Sequence, residues 1–395
     1  MSVAVNSQRE SHVRVKPVTR EFPEADDVSL RHSAHVVAHL KNAIFDAGGW
    51  IPFSKYMDLA MFAPGLGYYS AGAAKIGAAG DFTTAPEMST LFGATLAKQV
   101  AQILNATGGD VLEFGAGSGK LARDLIRALE KLGCEPRQYL ILEPSPDLRE
   151  RQCALLQKEI SNCNSRVKWI DCLPENFTGV MIANEVLDAM PIELIAWQAD
   201  GIYQRGVALS GEDFVWQEQK LAPGALLDHA KTINVKAGYV SEIHLAGEAF
   251  VRSVGDSLKH GAALFIDYGF LDHEYYHADR STGTVMCHYR HRAHTDAFFL
   301  PGVQDITAHV NFSAMMNAAR STGLEVEGFA TQAKFLIACG ITDELGEIDP
   351  ANAAQYLPLA NQVQRLLSPA EMGELFKVLG LGRGIDFPLL GFSRL

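Results

Sequence analysis

The sequence predicts an α/β fold with a mostly parallel sheet, preceded by a helical cap and interrupted by large insertions. Three observations carry this. Short apolar runs alternate with helical stretches from Asp110 onward, the order of strands joined by crossover helices. Four consecutive runs end in a polar or acidic residue, at the edge where open α/β sheets bind ligands. The first run leads into glycines at every second position, in Asp110-Val-Leu-Glu-Phe-Gly-Ala-Gly-Ser-Gly-Lys-Leu121.

Taken in order, residues 1–30 hold Arg9, Arg14, Lys16 and Arg20 without an apolar core. They are expected to form a flexible terminus and no secretory signal, with a weak organelle transit segment as the alternative. Residues 31–105 read as a helical cap with a long Gly-rich loop. Ser33 is expected to cap a helix through Val36, Val37, Leu40 and Ile44, stopped by Gly48-Gly49, and Ser54 a second one ending before Pro64. A further helix begins near Pro86. The loop between them, from Gly65 to Glu87, is long enough to be either functional or disordered.

From residue 106 the sheet domain begins. Asp110–Phe114 is the first strand, and Gly115, Gly117 and Gly119 let the chain turn sharply and a ligand approach the backbone. Such loops often cradle phosphates, but the spacing is not that of a dinucleotide loop, and Phe114 and Leu121 stand where a P-loop needs Gly and Ser/Thr. Glu113, expected at the mouth of the loop, repels a pyrophosphate and attracts a cation. The sulfonium and α-ammonium of S-adenosylmethionine (SAM) suit it; an ordinary Gly-rich turn is the alternative. Arg137–Glu143 reads as a second strand whose acid can accept hydrogen bonds from a ribose diol. Arg166–Asp171, followed by Cys172, and Thr178–Asn184, followed by Glu185, are strands three and four.

The rhythm then breaks. Glu193–Trp216 reads as β-ribbon and Gly224–Tyr239 as irregular, within an insertion at about 192–242. A helix from about Ile243 to His260 precedes a fifth strand, Gly261–Asp267. Residues 269–310 form a long His-rich, aromatic loop. Leu324–Ala330 is strand six, helices fill 331–378, and Asp386–Ser393 is the closing strand.

A chain of 395 residues that is 48% hydrophobic can bury one large core with insertions or two modest ones. The net charge of −12 disfavours nucleic acid, which needs a basic stripe, and suits a basic protein or peptide. No window is apolar for the ~18 residues that cross a bilayer. The six cysteines, Cys134, Cys153, Cys163, Cys172, Cys287 and Cys339, form no C-x-x-C pair and read as buried free thiols in a reducing compartment. The cytoplasm is expected, or the mitochondrial matrix if the source is eukaryotic.

Together with Lys75-Ile-Gly-Ala-Ala-Gly-Asp-Phe-Thr-Thr-Ala-Pro-Glu-Met-Ser89, these features make the chain resemble the MidA-like family of class I SAM-dependent methyltransferases, from about Ile51 to Phe392. Matching blocks are Gly65-Leu-Gly-Tyr-Tyr69, Leu142-Glu-Pro-Ser145, Ala183-Asn-Glu-Val-Leu-Asp-Ala-Met-Pro191, Ile266-Asp-Tyr-Gly269 and Asp305-Ile-Thr-Ala-His-Val310. The family usually has Pro and Arg where this chain has Ala116 and Ser118, and an acid at Asn311, which puts rate and substrate choice in doubt more than cofactor binding. The resemblance implies a Rossmann-like sheet, SAM as cofactor, and methylation of arginine on a protein partner such as a respiratory complex I subunit. It also implies that Asp81, Phe82, Thr83 and Glu87 fold over the cofactor and substrate mouth.

On that reading, Glu113, Gly115, Gly117, Gly119, Glu143, Asp171, Cys172, Asn184, Phe82 and Thr83 bind the cofactor. A guanidinium is protonated in water, so carboxylates must hold it and help remove a proton. Glu185 and Asp188 are the favoured acids, expected to share a helical face as i and i+3. Asp188 as a mere helix cap is the alternative. Asp81 joins them as a candidate, and His309 is expected to orient a carboxylate or shuttle a proton near neutral pH, or else to be structural. His288, His291 and His294 recur every three residues, but no Cys or acid completes a metal site and methyl transfer needs none. The aromatics Tyr68, Tyr69, Tyr268, Tyr275, Tyr276 and Tyr289 are expected in the channel wall or in packing. Three other readings stay open: methylation of a small molecule, a SAM-binding assembly factor with little catalysis, and a nicotinamide oxidoreductase. The reading also leaves a homodimer open.

Overall fold

The computed structural model describes residues 23–70 and 84–393. Its main sheet has seven strands on one path: β1 Asp110–Phe114, β2 Tyr139–Leu142, β3 Val167–Ile170, β4 Phe177–Asn184, β5 Leu258–Phe270, β6 Glu325–Thr331 and β7 Phe376–Arg383. The spatial order is β6-β7-β5-β4-β1-β2-β3. Neighbours are parallel except β7, which runs antiparallel to both β5 and β6. The order reverses between β1 and β4, so the turns that leave these two strands lie side by side and open a crevice.

Both faces of the sheet are covered, and the strand residues divide accordingly. Val111, Ile141, Val180, Ile182 and Leu264 pack under helices Thr90–Thr107 and Lys120–Lys131. Leu112, Phe114, Met181, Ala183 and Phe265 pack on the other side against Leu245–Ser257 and Phe312–Ser321. Burying each such side chain contributes about 1.5–3 kcal/mol, which is why near-continuous apolar runs end up in the middle of a parallel sheet.

The front of the chain departs from expectation in its caps. The first helix is Asp27–Asp46, capped by Asp26, whose Oδ1 accepts from the Ser29 N–H at 2.8 Å; Ser33 lies inside it, buried. The second is Phe53–Phe62, and the Ser54 hydroxyl donates to Glu193 instead of capping. Both helices share a core with Ile192, Leu194, Val207, Cys287 and Ile306 of the insertions. There Glu193–Gln198, Gly201–Ser210 and Asp213–Lys220 form the expected ribbon, joined by Trp50–Pro52 and Tyr239–Ile243 into a five-stranded sheet. Within the stretch expected to be irregular, Ala225–Thr232 is helical.

Residues 269–310 are more ordered than a loop. Met286–Tyr289 pairs with Arg292–His294 in a hairpin and with Asp305–Thr307. The closing strand is Phe376–Arg383, not Asp386–Ser393, which crosses over it. A Cβ at Gly380 would stand 2.6 Å from the Phe392 ring, so the strand needs glycine there. The helices before it end at Leu367. Of the six thiols, Cys134, Cys163, Cys287 and Cys339 are buried; Cys153 is half-buried and Cys172 is exposed, contrary to expectation. Among the described residues, no helix is long and apolar enough to cross a membrane.

Candidate active site

A cavity opens where the crevice should be, lined by the β1 turn, the end of β2, the end of β4 and residues that precede the sheet. At Gly115, Gly117 and Gly119 φ is +57°, +54° and +85°, a region costly for residues with a Cβ. A Cβ on Gly115 would also press on Val186 at 3.3 Å. The loop is held from two sides. Gly115 N–H donates to Leu142 O at 3.0 Å, and Gln152 Nε2 donates to Gly117 O at 3.0 Å. Across the mouth, Glu87 accepts from the Ser118 hydroxyl and from Lys120 Nζ at 2.6 Å. Ser118, a departure from the family pattern, thus ties the loop to the pre-sheet segment.

Two buried carboxyls face this loop. Glu143 accepts from Ser145 N–H and Gln152 Nε2, both at 3.0 Å, leaving lone pairs for a diol. Burial raises its pKa, opposed by those donors. Glu113 lies on β1 beneath the loop, not at its mouth, and accepts from the Tyr139 hydroxyl at 2.5 Å. Burial, with Glu143 nearby, pushes it up to about 7.

After β4 the chain turns instead of starting a helix, so Glu185 and Asp188 share no helical face. Glu185 has φ +53°; its N–H donates to Ile266 O at 2.8 Å, and its side chain lines the cavity beside Asn184, whose Nδ2 donates to Glu185 Oε1 at 3.3 Å. Withdrawal from water, reinforced by Asp188, raises Glu185 to about 8. Asp188 sits just behind the wall, accepting at Oδ2 from the Tyr268 hydroxyl; burial raises it to about 6. Its Oδ1 and the Asn184 Oδ1 are buried without a hydrogen-bond partner. Tyr69, in the wall, donates to the buried Asp305 at 3.3 Å.

Other predicted residues are elsewhere. Asp171 is exposed and pairs with Arg149 at 2.7 Å; neither it nor the exposed Cys172 reaches the cavity, because the chain leaves β3 outward. His309 lines a second cavity, with Arg280 and Thr284, stacked on Phe270 and edge-on to Tyr268. Burial lowers it to about 4, so it is neutral at pH 7 and shuttles no proton there. Of the remaining aromatics, Tyr68, Tyr275 and Tyr289 are buried in packing. Among the described residues, no group of three His, Cys, Asp or Glu side chains could hold a metal. Asp81, Phe82 and Thr83 lie outside the described residues. Sequence reasoning missed Gln152, which bridges Glu143 to the loop, and Asp267, an acid ending the apolar run of β5 as Glu143 follows that of β2.

The residues fit SAM. The glycine turn permits close approach, Glu143 offers acceptors for hydroxyls, and the orphaned Asn184 oxygen offers one for an ammonium.

Comparison with known proteins agrees. Residues 95–330 match a family described as "Putative S-adenosyl-L-methionine-dependent methyltransferase". A superfamily protein from Burkholderia thailandensis, crystallised with S-adenosyl-homocysteine, is similar at 50% identity, with 95% of this chain and 98% of that chain covered and a TM-score of 0.92. The mitochondrial protein arginine methyltransferase NDUFAF7 of Homo sapiens is 26% identical over 88% of this chain and 83% of its own. Its Caenorhabditis elegans homolog is 27% identical over 78% of each. The glycine cradle, the buried acids and the family match converge: the chain belongs to the MidA-like S-adenosyl-L-methionine-dependent methyltransferases.

Proposed function

We propose that the chain methylates an arginine side chain of a basic protein partner. The observation that carries this is Glu185, a carboxyl at the cavity wall whose proton affinity is raised to about 8 and which stands next to Asp188. When bound, SAM supplies an electrophilic methyl group on a positively charged sulfur. The chain's own residues hold the acceptor and manage its proton. Glu185, once ionised, binds a guanidinium N–H and takes the proton that the nitrogen must lose. Asp188, held by Tyr268, adds a second negative charge behind it. The raised pKa of Glu185 brings it closer to that of its partner, which eases the transfer. The acids replace the water that a guanidinium gives up on entering the site.

Arginine as target is supported by the relatives' names and by the net charge of −12, which draws basic segments. The family resemblance adds a respiratory complex I subunit as the expected partner, and the relatives' names point to mitochondria where the source is eukaryotic. We also assign cofactor binding to Glu113, Gly115, Gly117, Gly119, Glu143 and Asn184.

The test is transfer of isotopically labelled methyl from SAM to protein and metabolite fractions of a cell extract, with mass spectrometry of labelled peptides. Label on arginine is expected. Label confined to metabolites, or to another side chain, refutes the proposal.

A further inference from the structure

We infer that Asp267 is a positioning residue for methyl transfer: its carboxylate fixes the turn that presents Glu185 and Asp188. The inference rests on the role proposed for those two acids. Asp267 lies near the end of β5 and is 1% exposed. Its Oδ2 accepts from three successive backbone N–H groups, Val186 at 3.2 Å, Leu187 at 3.0 Å and Asp188 at 3.3 Å. Its Oδ1 accepts from its neighbour's N–H, Tyr268, at 2.9 Å.

Residues 185–190 belong to no helix or strand, so these N–H groups have no ladder to join. Left buried and unpaired they would open the turn. Asp267 satisfies three at once, across some eighty residues of sequence. Two further bonds pin the same turn: Glu185 N–H to Ile266 O at 2.8 Å, and Ala308 N–H to Asp188 O at 3.0 Å. Tyr268, next in the chain, then reaches Asp188 with its hydroxyl. One short segment, Ile266–Tyr268, therefore sets both the backbone and the side chain of the acid turn.

All four partners of Asp267 are donors, so its side chain serves the turn as an acceptor, while burial, with Asp188 and Glu185 nearby, raises its own proton affinity.

The test is Asp267→Asn, which keeps the shape but cannot offer acceptors to all four donors. Expected are a fall in kcat of about 100-fold, the scale of a small misplacement of a reacting group, and a much smaller change in SAM affinity by calorimetry, since the bonds that hold Glu143 and the glycine loop remain. Faster amide exchange at residues 186–188 should accompany this. Wild-type kcat, or SAM affinity lost in parallel, overturns the inference. So does unchanged amide exchange at residues 186–188. The exchange reading needs no methyl acceptor, so it decides the inference even if the wild-type chain proves not to methylate arginine. If Asp267→Asn does not fold, Asp267→Glu keeps the charge and shifts the carboxylate by one methylene: kcat must fall with SAM binding retained, and unchanged kcat overturns the inference.

Discussion

Glu185→Gln should make the protein more stable and inactive at once. With the pKa of Glu185 raised from the ordinary 4.5 to about 8, the folded protein holds at pH 7 a neutral carboxyl that the unfolded chain ionises. A group with a raised folded pKa favours folding less as pH rises. Relative to an unshifted glutamate the difference is small below pH 4.5, grows through the interval up to pH 8, and then levels off. At 1.36 kcal/mol for each tenfold change, this costs about 3 kcal/mol at pH 7 and about 1 kcal/mol at pH 5. Residual solvent contact of the side chain reduces the first figure to about 2 kcal/mol. Glutamine is always neutral, fits the same space and still accepts from the Ala85 N–H that now serves the carboxyl. Thermal unfolding should therefore show a Tm gain of about 3 °C at pH 8, falling to about 1 °C at pH 5. Methyl transfer should drop at least about 100-fold, because the proton acceptor is gone. A Tm gain independent of pH, a loss of stability at pH 8, or retained transfer would each refute the reasoning.

Other changes separate the parts of the site. Gly115→Val should weaken SAM binding about 10-fold or more by calorimetry, from the positive φ and the contact with Val186. Glu143→Ala should cost SAM affinity about 10–100-fold through lost charge-assisted bonds, whereas Asp171→Asn should leave it unchanged, since Asp171 faces solvent. His309→Phe preserves the stack on Phe270, and because His309 is already neutral at pH 7 the acid limb of the pH–rate profile should stay in place. A limb that moves would restore His309 as a proton carrier. Glu87→Gln loosens the bond to Lys120, and its effect should appear as faster SAM dissociation by stopped flow.

Local pattern alone carried much of the site. Apolar runs ending in acids, glycines at alternate positions, and strand–helix alternation each depend on residues close in sequence, so Glu113, Gly115, Glu143, Asn184 and Glu185 are legible as cavity residues from local pattern. The same logic failed where local cues compete. Ser33 resembles a cap, but Asp26 starts the helix and Ser33 is buried inside it. Phe376–Arg383 carries glycines that discourage a strand assignment, until Phe392 is seen to occupy the space that a Cβ at Gly380 would take. Asp171 ends a strand just as Glu143 follows one, yet the chain turns it to solvent and an arginine.

What the sequence determined by itself is the strand–helix alternation around the glycine bend and the kind of ligand that a glycine bend flanked by acids accepts, because these follow from backbone preference and side-chain chemistry within a few residues. Only the tertiary structure decided which acids act together. Asp267 meets the turn after β4, Tyr139 meets Glu113, and Gln152 meets both Glu143 and the loop, through sheet registry and helix packing between distant segments. Burial at those meeting points, which no single segment encodes, is what raises Glu113 to about 7 and Glu185 to about 8.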